Sequence, residues 1–280
     1  SCGGQFTANT MACVSEAIGL ALPGSAGTPA PMEARDRWAE ASGEAAMRLL
    51  EQNIRPRDIV TRKSLENAAR VVAASGGSTN GALHLPAIAH EAGIAFDLHD
   101  VAAIFRDTPY IADLKPAGRY VMKDLAEAGG VPLLMKALMD GGFLHGDCLT
   151  VTGKTIAENL TDVTFKRDQV VVRPTTEPIT TWGGVVGLKG SLATEGAIVK
   201  VAGLPELTFR GPARVFDCEE DAMAAVQAGQ YEAGEVLVIR YEGPKGGPGM
   251  REMLGVTSAI YGQGMGDKVA LITHGRFSGA

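Results

Sequence analysis

The sequence predicts an α/β protein in two parts, with the boundary near Asp168. Three observations carry this. Up to Asp168, apolar residues recur at helical spacing in one segment after another. Beyond it, short β-branched runs separated by turns take over. Near the end, Val236–Arg240 and Val269–Thr273 read as strands, each followed by a glycine-rich turn, with a helical pattern between them. Strand, turn, helix, strand is the order of a βαβ unit, whose strands run parallel. Domains are therefore expected at 1–168 and 169–280.

The 280 residues leave room for two domains. With 45% hydrophobic and 21% charged residues, the balance is that of an ordinary soluble protein. A net charge of −6 without a basic cluster argues against a nucleic-acid partner. No run approaches the roughly 18 apolar residues of a membrane span, and no targeting sequence is visible. The expectation is a cytoplasmic protein with no membrane partner. The chain opens on Ser1 and stops at Ala280 inside a glycine turn, which reads as a fragment or a processed chain. Cys2, Cys13, Cys148 and Cys218 are far apart and form no disulfide framework, so a reducing compartment is expected. No CxxC pair offers a local four-cysteine metal site.

In the first domain, Cys2–Phe6 is a tight turn and Thr7–Leu22 a helix, with Met11, Val14, Ile18 and Leu22 inward and Thr7 as its cap. Cys2 then precedes a helix N-terminus, where the dipole favours a thiolate; a buried turn cysteine is the plainer reading. Cys13 is core. Helices follow at Met32–Asn53 and Thr61–Ala74. Ser75–Asn80 forms a turn heading the helix Gly81–Ala92, and its hydroxyls and backbone N–H groups suit either helix capping or an anion cradle. His84 and His90 are not at same-face spacing and read as structural. Phe96–Leu98 is a short strand, Asp100–Arg106 a short helix, and Gly129–Gly141 a longer one. Gly153-Lys154-Thr155 resembles the tail of a phosphate loop, but the required glycine is replaced by Cys148, so an NTPase is excluded.

In the second domain, strands are expected at Val170–Val172, Val185–Leu188, Ala197–Val201, Thr208–Phe209 and Ala213–Phe216, with Glu195-Gly196 as a tight hairpin turn. Asp217–Gly229 is a helix opened by an Asp217/Glu220 capping box. The helix of the βαβ unit is Met250–Tyr261. Open α/β sheets bind ligands at the carboxyl edge of their strands. The turns at that edge deliver Glu252 and Ser278. Two function classes fit these residues. One is a metal-assisted lyase, with Glu252 on Mg²⁺, Ser278 accepting a proton and Cys2 on a soft metal or cluster. The other is a non-catalytic anion-binding module. A serine hydrolase fits poorly, since Gly275-Arg276-Phe277-Ser278-Gly279 is not GxSxG.

Several longer motifs choose between them. Ser1-Cys2-Gly3-Gly4-Gln5-Phe6-Thr7-Ala8-Asn9-Thr10-Met11 resembles the cysteine motif of the dihydroxy-acid dehydratases. So do Gly76–Asn80 with Leu83-His84-Leu85, Leu144–Asp147 with Thr150–Thr155, Tyr241–Leu254, and Gly275–Gly279. The wider superfamily includes 6-phosphogluconate and sugar-acid dehydratases, and Met250–Leu254 with Phe277 favours the branched-chain amino-acid enzyme.

The resemblance implies dehydration of 2,3-dihydroxy carboxylic acids to 2-keto acids, in valine and isoleucine biosynthesis. It implies an iron–sulfur cluster, [2Fe–2S] or [4Fe–4S], on three cysteines, together with Mg²⁺. By the same resemblance, Cys2 is the third cluster ligand, Glu252 the Mg²⁺ ligand from the C-terminal domain, and Ser278 the proton acceptor. Ser78 and Thr79 are candidate substrate-binding residues. The first domain would be an α/β cluster-binding domain lacking its start, and the second a barrel-like α/β domain lacking its end. A homodimer is implied for the full-length form. His274 stands where the family often has Asp. The remaining cluster and Mg²⁺ ligands would lie upstream of Ser1, so the chain alone is expected to be inactive.

Overall fold

The computed structural model describes residues 3–166, 168–204, 206–243 and 250–277, which divide into two compact units, one up to Gly203 and one from Leu204 onward. The α/β class is as expected. Among the described residues, no sheet closes into a barrel.

In the first unit, helices are α1 (Thr7–Ile18), α2 (Ala34–Glu51), α3 (Pro56–Ile59), α4 (Arg62–Ala74), α5 (Asn80–Ala92), α6 (Leu98–Arg106), α7 (Met122–Ala128), α8 (Gly130–Asp140) and α9 (Ile156–Asn159). A two-stranded antiparallel ribbon, β1 (Val185–Leu188) and β2 (Ala197–Lys200), follows them and β1 lies on α6. The centre is α4. Its Ala68, Ala69, Ala73 and Ala74 are fully buried, and such small side chains let α1, α5, α6 and α8 pack around one axis. Gly187 of β1 is needed for the same reason, because a Cβ there would sit 2.3 Å from the Cβ of Ala102 on α6. Val171, Val172 and Val185 belong to this core.

Several helix ends differ from the sequence expectation. Phe6, not Thr7, occupies the N-cap of α1, and Thr7 is its first residue. The helix stops at Ile18 because Gly19 turns left-handed, with φ 97°. Phe96–Leu98 is not a strand: Asp97 caps α6 by accepting from the N–H groups of His99 and Asp100. Val170–Val172 makes only an isolated bridge, from Val172 to Ala112, and Thr208–Phe209 is irregular. The β1–β2 connection is a loop over 189–196 rather than a tight turn at Glu195-Gly196.

The second unit is a three-stranded parallel sheet in the order β3 (Ala213–Phe216), β4 (Val236–Ile239), β5 (Ala270–Thr273). α10 (Glu219–Gln227) connects β3 to β4 and α11 (Leu254–Gly262) connects β4 to β5. The βαβ reading therefore holds, with Ile239 opposite Thr273 in the parallel ladder. Leu237 and Ile239 of β4 point into a core shared with Ala222, Val226, Met253, Val256 and Ile260. The Asp217/Glu220 box does not form, because Asp217 is drawn to Arg240. The first N–H of α10 instead donates to Glu242, across from the loop after β4, at 2.8 Å. α11 begins at Leu254 rather than Met250, because the residues before it pair with the loop after β5.

Candidate active site

At the carboxyl edge of the parallel sheet, the loops after β4 and after β5 carry the candidate residues. Leaving β4, Tyr241 takes a left-handed φ of 61°, and its N–H donates to Nδ1 of His274 at 3.1 Å. That bond makes Nδ1 an acceptor and ties the first residue after β5 to the loop after β4. The next residue, Glu242, is almost fully buried and accepts from the Glu219 N–H and from Nη1 of Arg251, at 3.3 Å. Arg251 also pairs through Nη2 with Glu219 and Glu220, both at 2.8 Å. The Arg251 hydrogen bond holds the Glu220 carboxyl below its usual range.

The two loops then join. Glu252 and Arg276 form a parallel bridge: the Arg276 N–H donates to the Arg251 carbonyl at 2.8 Å, and the Met253 N–H donates to the Arg276 carbonyl at 2.9 Å. The Arg276 guanidinium adds a bond from Nε to the Met250 carbonyl at 2.8 Å and an ion pair from Nη1 to Oε1 of Glu252 at 2.9 Å. Gly275 permits this approach, since a Cβ there would lie 2.7 Å from the Arg251 carbonyl oxygen. Phe277 packs on the core of this unit. Ser278 lies outside the described residues. Glu252 is thus a half-buried carboxylate at the sheet edge, with one oxygen engaged by Arg276.

In the first unit, the segment after Cys2 is pinned from several sides. The Met122 N–H donates to the Gly3 carbonyl at 3.0 Å, the Gln5 N–H donates to the Lys115 carbonyl at 2.7 Å, and Nδ2 of Asn9 donates to the Gly4 carbonyl at 2.5 Å. Gln5 is fully buried and donates through Nε2 to the Ser75 hydroxyl at 2.9 Å. Cys2 itself lies outside the described residues. Cys13 is buried, and burial pushes its thiol up to about 12, which keeps it protonated and suits it to the core.

Ser78 and Thr79 stand at the head of α5. Ser78 is fully buried; its hydroxyl accepts from the Asn80 N–H at 3.2 Å and from Asn80 Nδ2 at 3.0 Å, and meets the Thr7 hydroxyl at 3.1 Å. Its own N–H donates to the Thr10 hydroxyl at 2.9 Å. In this arrangement Ser78 works as a helix-start and inter-helix residue, while Thr79 is the more exposed of the two.

The His145 and Thr150–Thr155 motifs are framework. Asn67 on α4 clamps the backbone of His145 from both sides, accepting from its N–H at 2.8 Å and donating to its carbonyl at 2.9 Å. Thr150, Thr152 and Asn159 close a hydroxyl–amide ring, and Thr155 caps α9 with Glu158. Sequence reasoning passed over Arg251, Arg276, Glu242 and Asn67. Only the position of Arg276 inside a glycine turn beside Ser278 could have singled one of them out.

Two family models match the chain: the dihydroxy-acid/6-phosphogluconate dehydratase N-terminal model over residues 1–159 and the corresponding C-terminal model over residues 170–280. The chain belongs to the dihydroxy-acid/6-phosphogluconate dehydratase family. It is 72% identical over its whole length to the dihydroxy-acid dehydratase of Parvibaculum lavamentivorans, covering 49% of that protein. The figures are again 72% and 49% for dihydroxy-acid dehydratase 2 of Bradyrhizobium diazoefficiens. Identity is 58%, with 50% of the relative covered, for the dihydroxy-acid dehydratase of Acidothermus cellulolyticus. The chain spans about half the length of the curated relatives it matches.

For a dehydratase of this family, Glu252 has the right donor chemistry for a hard cation: a carboxylate at the sheet edge, oriented by a neighbour. It is a single ligand. Among the described residues no group of three His, Cys, Asp or Glu side chains is placed to hold a metal ion. The fit to a hard cation is that of the Glu252 carboxylate alone. Also among the described residues, no helix is long and apolar enough to cross a membrane.

Proposed function

We propose that the full-length protein removes water from 2,3-dihydroxy carboxylic acids to give 2-keto acids, in valine and isoleucine biosynthesis. The observation that carries this is the match of the whole chain to relatives named dihydroxy-acid dehydratase, with Glu252 at the sheet edge where the resemblance puts a metal ligand. The reaction faces two obstacles, a weakly acidic C2 proton beside a carboxylate and a poor leaving group in hydroxide. An iron–sulfur cluster, [2Fe–2S] or [4Fe–4S], and Mg²⁺ would supply Lewis acidity for the leaving hydroxyl and offset the negative charge that develops as the proton leaves. In this reading Cys2 is one of three cluster cysteines, and the pinned Gly3–Gln5 segment fixes the backbone next to it. Glu252 contributes one carboxylate oxygen to Mg²⁺. Ser278 takes the C2 proton, and the resulting enol becomes the keto acid. The full-length form is a cytoplasmic homodimer acting on a small-molecule substrate.

The test is made on the full-length protein. Keto acid should form from a branched 2,3-dihydroxy acid in preference to a sugar acid; the reverse preference would move the assignment to the sugar-acid dehydratases. Ser278→Ala should abolish turnover while the visible absorbance of the cluster persists. Loss of that absorbance would make Ser278 a structural residue.

A further inference from the structure

Arg276 is not needed to explain the core, and it is held through its backbone as well as through its side chain. Its backbone N–H and carbonyl are both used in the bridge to the Arg251–Met253 segment. Its guanidinium is anchored on the Met250 carbonyl through Nε before it reaches Glu252 through Nη1. Three of these four bonds would exist without Glu252. An arginine that merely neutralised the carboxylate would be held by the carboxylate alone. Here the backbone sets the arginine, and the arginine sets the carboxylate. Its ion pair is to Oε1, so one oxygen of Glu252 is held by a side chain that the backbone has already placed.

We propose that Arg276 is a positioning residue, which orients Glu252 as a divalent-cation ligand and couples that ligand to the loop after β5. The inference rests on the reading of Glu252 as a Mg²⁺ ligand given above. Its physical basis is that carboxylates holding a cation are themselves hydrogen-bonded, and loss of such an outer partner weakens metal affinity by roughly 10–100-fold. The planar guanidinium offers Nε and Nη1 in fixed relation, so it can touch Met250 and Glu252 together; a lysine ammonium has no such fork.

Mn²⁺ binding to the full-length protein, followed by electron paramagnetic resonance, tests this without reference to turnover. Glu252→Gln should lose most Mn²⁺ binding. Arg276→Gln should bind Mn²⁺ roughly 10–100-fold more weakly than wild type, with an unchanged circular dichroism spectrum. Arg276→Lys keeps the charge and carries the test if the glutamine variant does not fold; it should also bind weakly. Wild-type or tighter binding by either foldable Arg276 variant, with Glu252→Gln impaired, overturns the role of Arg276 alone, tighter binding marking it as a competing counter-charge. Unimpaired binding by Glu252→Gln overturns the reading of Glu252 and this inference with it.

Discussion

At the scale of single residues, Glu16 has the most to say about pH. It lies on α1, almost fully buried, and its two oxygens accept from the N–H groups of Gly24 and Ala26, at 2.9 Å and 2.7 Å. Burial pushes its carboxyl up to about 7 from the ordinary 4.5, and the two N–H groups pull it back in part. Because the folded value is the higher, the folded state holds a proton that the unfolded state has lost between these limits. Stability from this group is therefore fully present below about pH 4.5 and is lost as pH rises through about 7. The size is on the order of 3 kcal/mol, at about 1.4 kcal/mol per unit. Glu16→Gln cannot ionise, so its urea midpoint should lack the decline that wild type shows between pH 5 and pH 8. An equal decline in both proteins would remove Glu16 as the cause. None of this was legible in the sequence, where Glu16 is one acid in an apolar helix. Its partners come from a loop eight and ten residues on, folded back by the left-handed Gly19. Ser78 shows the opposite case. Its place in a glycine-rich turn was legible, and so was a local bond from Asn80, but whether its hydroxyl also met the protein depended on Thr7, which the packing of α1 on α5 brings to it.

At the scale of elements, α4 shows what a local signal can fix. Thr61 accepts from the Ser64 N–H at 3.2 Å while the Ser64 hydroxyl accepts from the Thr61 N–H at 2.8 Å, a reciprocal cap that leaves both donors satisfied. Thr61→Ala should cost about 1 kcal/mol, read as a lower urea midpoint at an unchanged slope. A variant as stable as wild type would show that the packing of α4 alone sets its start. The sequence placed this helix correctly because cap and apolar stripe lie within one short segment. It misplaced the starts of α10 and α11 because distant residues decide them. Arg240 removes Asp217 from the cap of α10, Glu242 replaces it, and the bridge to Arg276 keeps Met250–Glu252 out of α11.

At the scale of the molecule, the chain carries one carboxylate of the proposed metal site and spans about half of its dehydratase relatives. Purified chain incubated with iron, sulfide and Mg²⁺ should form no keto acid, whereas the full-length protein treated in the same way should. Keto-acid formation by the chain would show that it contains a complete catalytic set. The α/β class and the parallel pair were legible because strand and helix periods are local patterns. The joining of two loops through Arg276 was not, because it is a relation between residues on either side of a crossover.

The parallel sheet also bears on how the second unit comes to exist at all. Ala213 pairs with Val236, and Val236 with Ala270, so no two neighbouring strands can zip from a shared hairpin. Each pairing must close a long loop, and the entropy of that closure is lost before the ladder bonds form. The loops that carry Glu252 and Arg276 take their final course only once β4 and β5 have met. The proposed metal-binding edge is thus among the last features of the second unit to form.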